Sequence, residues 1–448
     1  MEFLISWPSN EALRILDKNP DAVLLAFFLL YCAPIALDIS LEWLNRTHMF
    51  RKASRVPYSF EGFVDPLKLR QMCSYTADRS RVGTVNTFFT EGLMLLFLTS
   101  GILPAMDGFL MNRGLGVIGT GLLFLLIAGA FQYLIELPYD YYVTFVIEDQ
   151  YGFNHSSVST WIIDHVKSVL VSVLLLAPLL GLILWIIPAF PLWWWLIGFI
   201  AVSLFQLVMM VIYPVVIAPI FNKFEPLQDP VLAEKIRDFM ERGGVRVKGI
   251  YQMDGSRRSG HTNAYFTGMG SSKRIVLYDT LIASHPHEEI LAVLGHEIGH
   301  YKGNHIFKSF LLMEALLLIG FYLTWIVMEW QPLFTAFGFD TIKPHAGLFL
   351  VSILWGKVAV FVQPVYLALS RHFEREADAF AVDLQKTPHP MTTALKRLAV
   401  DNLSNLFPHP YYKIFNYSHP PLVERVAALE ERSPARMSPN PAPQAGEP

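Results

Sequence analysis

Seven stretches of this chain, at about residues 22–40, 88–106, 116–137, 167–188, 191–217, 306–329 and 347–369, are apolar over close to the ~20 residues that a helix needs to cross a bilayer. Such a pattern leaves few folds open. In hydrocarbon every backbone N–H and C=O must be satisfied inside the protein, and a continuous apolar segment does so as a helix. Composition agrees, because only 16% of the residues are charged, against about 25% in soluble domains. The expected fold is a mainly α membrane protein with the lipid bilayer as its first partner. A net charge of −3 gives no reason to expect nucleic acid. The start of the chain lacks a basic segment running directly into an apolar core, so the first run is expected to be a retained span.

Cytoplasmic loops carry the excess of Lys and Arg. Arg46, Arg51, Lys52, Arg55, Lys68, Arg70, Arg79 and Arg81 lie between or beside the first two spans, and a larger basic set lies between the fifth and sixth. The opposite side has only Arg14, Lys18, Arg113 and Lys343, while residues 138–165, expected as an acidic loop, are uninformative. An outside N-terminus and an inside C-terminus follow. The expected organisation is five spans with their loops (1–217), a cytoplasmic segment (218–305), two further spans (306–370), C-terminal helices (371–432) and a disordered tail (433–448) rich in Pro, Ala and Ser.

Within 218–305, Asp229-Pro230 is a good helix start and Gly243-Gly244 a good stop. β-like runs follow at 247–253, 263–269 and 274–278, and His285-Pro286 precedes another helix. That helix contains Leu294-Gly295-His296-Glu297-Ile298-Gly299-His300. Residues i and i+4 share a helix face, so His296 and His300 can bind one metal from the same side. Glu297 is then free to act as a base toward water. A strand edge beside such a helix can take up a peptide as an extra strand.

A catalytic zinc needs a third protein ligand. Two spans separate the helix from Ser370-Arg371-His372-Phe373-Glu374-Arg375-Glu376-Ala377-Asp378, so both segments return to one membrane face, whereas the loop holding His345 does not. Glu374 and Asp378 are one turn apart, which suits a ligand followed by an acceptor for a ligand's ring N–H. The same run also reads as a solvated charged face, and spacing alone leaves both readings open. Glu314 and Lys357 fall inside spans, and Glu91 lies near the end of another. At 1.5 Å per residue, Glu314 and Lys357 differ in depth by roughly 8 Å, which leaves a direct pair open.

The chain resembles the zinc-dependent integral-membrane CAAX prenyl proteases, a seven-span gluzincin family, over nearly its full length. The resemblance rests on HEIGH, FVIEDQYGFN (145–154), IAPIFNKFEPL (217–227), SGHTNAYFTG (259–268), KRIVLYDTL (273–281), SRHFEREADAFA (370–381) and NYSHPPLVER (416–425). It implies seven helices around a water-filled chamber, with a cytoplasmic zincin-like metalloprotease domain containing a small β-sheet. It implies one Zn2+ per chain held by His296, His300 and Glu374, Glu297 as base, Asp378 behind the ligands, and His419 near the reacting carbonyl. A substrate peptide would lie along Asn263, Ala264 and Tyr265. The implied substrate is a peptide or protein cleaved after a C-terminal prenylated cysteine, and the alternative is a broader membrane quality-control metalloprotease. Endoplasmic reticulum and bacterial inner membrane both suit the sequence, which carries no sign of an oligomeric state.

Overall fold

The computed structural model describes residues 19–267 and 273–432. The expected tail and the last two residues of the 263–269 run lie outside the described residues. Seven helices have the length and composition to cross a membrane: Pro20–Lys52, Pro66–Thr99, Gly116–Glu148, Val158–Ala189, Trp194–Phe221, His305–Met328 and Pro344–Gln385. At most 22% of the most apolar window of any of them is buried inside the protein. Helices this apolar and this uncovered need lipid as their solvent. Their starts are set locally: Asp65 accepts the Lys68 N–H at 2.7 Å with Pro66 opening the helix, and Ser157 accepts the Thr160 N–H at 3.1 Å.

Three expected boundaries move. The second span, expected at 88–106, begins at Pro66 and ends at Thr99, because Gly101 adopts a left-handed φ of 79° and starts a separate short helix, Ile102–Met111. Most of the expected loop 138–165 is helical. The third span runs on through a π-helical stretch, Val143–Glu148, and the next helix starts at Val158. The break expected near residue 370 is absent. Pro344–Gln385 is one helix of 42 residues, about 63 Å long. It therefore emerges from the hydrocarbon layer and carries Glu374 and Asp378 on the end of a membrane helix.

Inside the bundle, Lys357 pairs with Glu91 rather than with Glu314, and its ammonium lies 4.5 Å from the centre of the Tyr31 ring. The Tyr31 hydroxyl donates to Glu91, and Ser203 donates to Glu314. Tyr31, Thr90, Glu91, Gln132, Ser352 and Lys357 line a cavity of about 240 Å³. Breaking one side of this pair strands the other charge, so Lys357→Met is expected to destabilise the protein by about 3 kcal/mol. Melting in lipid should show that Glu91→Gln combined with Lys357→Met recovers most of that loss. Additive losses would contradict the pairing.

Outside the bundle, four strands form a sheet in the order β1-β2-β4-β3: β1 Phe224–Pro226, β2 Gly249–Met253, β3 Ala264–Thr267 and β4 Arg274–Tyr278. β1 has no alternation to announce it and was not expected. β2 and β4 are parallel, and β3 lies antiparallel to β4 with Ala264 opposite Leu277. β3 is thus an end strand, as the peptide-uptake reading requires. Ile250, Ile275 and Leu277 of the sheet pack with Leu232, Ile236 and Phe239 of helix Pro230–Arg242 and with Leu294 and Ile298 of the helix His287–Lys302. The His-Glu-x-x-His sequence is therefore held between the sheet and the seventh span.

Candidate metal centre

The helix His287–Lys302 crosses the C-terminal end of Pro344–Gln385 at very close range, and the glycines of the motif make this possible. A methyl group added at Gly299 would sit 2.7 Å from the Ala377 Cα, and one at Gly295 would sit 3.4 Å from the Ala381 Cα. Gly299→Ala must push the two helices apart, at an expected cost of about 1–3 kcal/mol. Gly356→Ala on the same long helix meets open space and is the control. Melting curves and metal content should separate the two, and equal behaviour would refute the packing argument.

Close approach brings the predicted ligands together. The Nε2 atoms of His296 and His300 are 3.1 Å apart. Glu374, 2% exposed, presents one carboxylate oxygen to each ring, 3.3 Å from His296 Nε2 and 3.1 Å from His300 Nε2. A tetrahedral zinc with bonds of about 2.0–2.1 Å separates its ligand atoms by about 3.3 Å, so this donor set fits such an ion. Among the described residues this is the one cluster of its kind.

Each ring is oriented from behind. Asp378 Oδ1 lies 2.8 Å from His296 Nδ1 and also accepts from Arg425 Nη2 at 2.6 Å, while Arg425 Nε donates to Asp378 Oδ2 at 2.8 Å. The other side uses a histidine that the sequence pattern does not single out. His300 Nδ1 and His305 Nδ1 are 3.0 Å apart, and His305 Nε2 is 2.8 Å from Glu376 Oε2. If His300 keeps its Nε2 lone pair free, its Nδ1–H donates to His305, whose Nε2–H donates to Glu376. His305 folds back because Asn304 takes a left-handed φ of 52°, and its ring stacks on Phe373 at 4.2 Å. Gly303 is required there, since its Cβ would lie 2.1 Å from His305 Nε2.

Arg425 and His305 stand behind this cluster, and sequence reading left both without a role. Their signal was weak: Arg425 sits six positions after His419, and His305 five after His300. His345, excluded on topological grounds, is indeed elsewhere, buried against Asp107 at 2.8 Å. His419 lies on the exposed side of the cluster, its Nδ1 2.8 Å from Glu374 Oε2. Glu297 is partly exposed, and no hydrogen bond holds its carboxylate among the described residues. Burial raises its pKa above the usual carboxylate range, against the opposing pull of His296 and His300. For His296, burial works to lower the pKa, but the hydrogen bonds to Asp378 and Glu374 outweigh it and hold the group at about 9.

A cation must therefore displace a proton from His296. Because that proton is bound below about pH 9 in the metal-free protein, apparent metal affinity is expected to rise about tenfold from pH 7 to 8 and to level off above about pH 9. Titration in weakly buffered solution should detect the released proton, and affinity independent of pH would refute this.

The strand residues are less uniform. Asn263 is exposed, its side chain caps the Ala264 N–H at 2.8 Å, and its carbonyl accepts from the Tyr278 N–H at 3.1 Å. Ala264 is buried at 6% exposure. Its side chain faces the core, which leaves only its backbone for a ligand. Tyr265 is half-buried with its hydroxyl toward Met253.

Comparisons with known proteins complete the picture. Residues 45–223 match the family description "CAAX prenyl protease N-terminal, five membrane helices", and residues 226–433 match peptidase family M48. A rice protein named "CAAX prenyl protease 1 homolog" is 36% identical, covering 92% of this chain and 97% of its own. The Saccharomyces cerevisiae "CAAX prenyl protease 1" is 33% identical over 84% of this chain and 89% of its own. The crystal structure of S. mikatae Ste24p superposes with a TM-score of 0.86 at 29% identity, covering 91% of this chain and 98% of that one.

Proposed function

Because the chain belongs to the CAAX prenyl proteases of peptidase family M48, and so is an integral-membrane metalloendopeptidase, we propose that His296, His300 and Glu374 hold one zinc ion. The observation that carries this is that His296 Nε2 and His300 Nε2 stand 3.1 Å apart, each with one oxygen of the Glu374 carboxylate within 3.1–3.3 Å. Zinc held there would supply Lewis acidity for activating water and polarising the scissile carbonyl.

The chain's own residues do the rest. Glu297 stands on the same helix as two of the ligands, with a carboxyl whose pKa burial raises. It takes a proton from the attacking water and returns it to the leaving amine. His419, exposed beside Glu374, donates a hydrogen bond to the substrate carbonyl oxygen as negative charge develops there. Asp378 and Arg425 keep His296 in the required tautomer. A substrate peptide adds to the free edge of β3 through the backbone of Ala264, between Asn263 and Tyr265 and next to the His296 helix.

The finer substrate is a C-terminal segment carrying a prenylated cysteine, cleaved after that cysteine. A lipid-modified substrate accounts for a peptidase whose centre is built against the end of a membrane helix, the one that carries Glu374. The excess of Lys and Arg in the loops at this end supports a cytoplasmic orientation for it. Farnesylated and unmodified CAAX peptides should differ in kcat/KM by at least about tenfold in favour of the farnesylated one. Equal rates would favour a broader membrane quality-control protease acting through the same centre.

A further inference from the structure

Away from the metal, His261 occupies a junction that the proposed mechanism leaves unused. It lies two residues before Asn263, in the turn that leads into β3. Its ring stacks on Phe153 with centroids 4.1 Å apart. Nδ1 is 2.8 Å from Asn402 Oδ1, and Nε2 is 3.3 Å from Glu148 Oε2. Both partners are acceptors. The Asn402 oxygen is identified by the Thr262 N–H that also points to it at 3.4 Å, and Glu148 already accepts from Tyr75 at 2.8 Å and from Arg79. Only the doubly protonated ring donates to both.

These partners come from separate parts of the protein. Glu148 ends the π-helical stretch of the third span, Tyr75 and Arg79 belong to the second, and Asn402 caps the helix His389–Asp401. The neighbouring backbone is tied in as well, with Gly260 N–H donating to the Phe153 carbonyl at 3.0 Å and an isolated bridge pairing Asn154 with Ser259. Thr280 Oγ donates to the His261 carbonyl at 2.9 Å. The entrance to β3 is thus anchored on the membrane bundle, whereas among the described residues the strand itself has ladder bonds on one side only. An end strand of four residues has little else to set its position.

We infer that His261 is a positioning residue that locks the peptide-binding edge of β3 to the membrane bundle, bridging Glu148 and Asn402. The inference rests on the β3-edge reading above. It predicts that disturbing His261 weakens main-chain pairing of the substrate and leaves the proton-transfer groups intact.

The test uses the full-length protein in lipid, a farnesylated CAAX peptide, and two analogues N-methylated singly at the two residues before the cysteine. Successive N–H groups of an extended peptide point to opposite sides, so one analogue loses a donor to β3. For the wild type that analogue should lose about tenfold in kcat/KM. His261→Phe keeps a ring for Phe153 but no donors. It should raise KM about tenfold, change kcat by less than about threefold, and suffer less than about a twofold penalty from N-methylation, because the two losses are coupled. Asn402→Ala, which removes one acceptor, should show the same coupling and serves if His261→Phe fails to accumulate. Glu148→Gln, which keeps an acceptor at that position, should retain more of the wild-type KM. An N-methylation penalty equal in wild type and variants, or a fall in kcat with KM unchanged, overturns the inference. If neither analogue is penalised in the wild type, the β3-edge reading fails first and takes the inference with it.

Discussion

Replacing Glu297 by Gln is expected to slow peptide hydrolysis by about a thousandfold while leaving bound metal unchanged. The substitution preserves shape and removes only the ability to accept and return a proton. Glu297 shares a helix with His296 and His300 but contributes no atom to the donor cluster of His296, His300 and Glu374, so metal retention and catalysis should separate cleanly. Its raised pKa adds a second signature. A base must be deprotonated, so activity is lost as pH falls through that pKa, and the acid limb of kcat/KM should lie above the ordinary Glu value of about 4.3. Hydrolysis rates and metal content measured on the same sample decide the matter. Full activity in Glu297→Gln would remove the assigned base, and loss of metal along with activity would make Glu297 a structural residue instead.

The second large effect concerns Arg425, which no spacing rule pointed to. It is 8% exposed, forms a two-pronged pair with Asp378, and approaches Glu374 Oε2 at 3.4 Å. Arg425→Met leaves Asp378 as a buried charge without its partner, which costs about 3–5 kcal/mol. It also frees the acceptor that orients His296, so metal affinity should fall about 10–100-fold. The two consequences can be pulled apart. Combining Arg425→Met with Asp378→Leu removes both charges and should restore much of the melting temperature, whereas metal affinity should stay low because His296 still lacks its acceptor. Chelator competition alongside thermal melting reads both quantities. Wild-type affinity in Arg425→Met would show that the guanidinium has no part in holding the centre.

Reading the sequence worked best where the physical signal is local. The seven spans announce themselves because hydrocarbon demands about 20 apolar residues in a row. His296 and His300 announce themselves because four residues make one helical turn. The helix after Asp229-Pro230 was legible from its cap and its glycine stop, and the observed helix is Pro230–Arg242. Boundaries governed by non-local packing were not. The third span continues past its apolar part because Glu148 finds Tyr75, Arg79 and His261 as partners. Similarly, β1 exists only because it pairs with β2, Phe224 opposite Met253.

The sequence by itself determined the solvent, the class of fold and two of the three donor residues, because hydropathy and helical periodicity are properties of short segments. Spacing left Glu374 suspended between ligand and surface charge. Tertiary structure decided its location: a 42-residue helix carries it out of the membrane bundle, and Gly299 lets the His296 helix approach until the donor atoms stand 3.1–3.3 Å apart. Asp378, Arg425, His305 and Glu376 then fall into place behind the rings. Such an arrangement depends on distances between residues tens to more than a hundred positions apart, which no local pattern records.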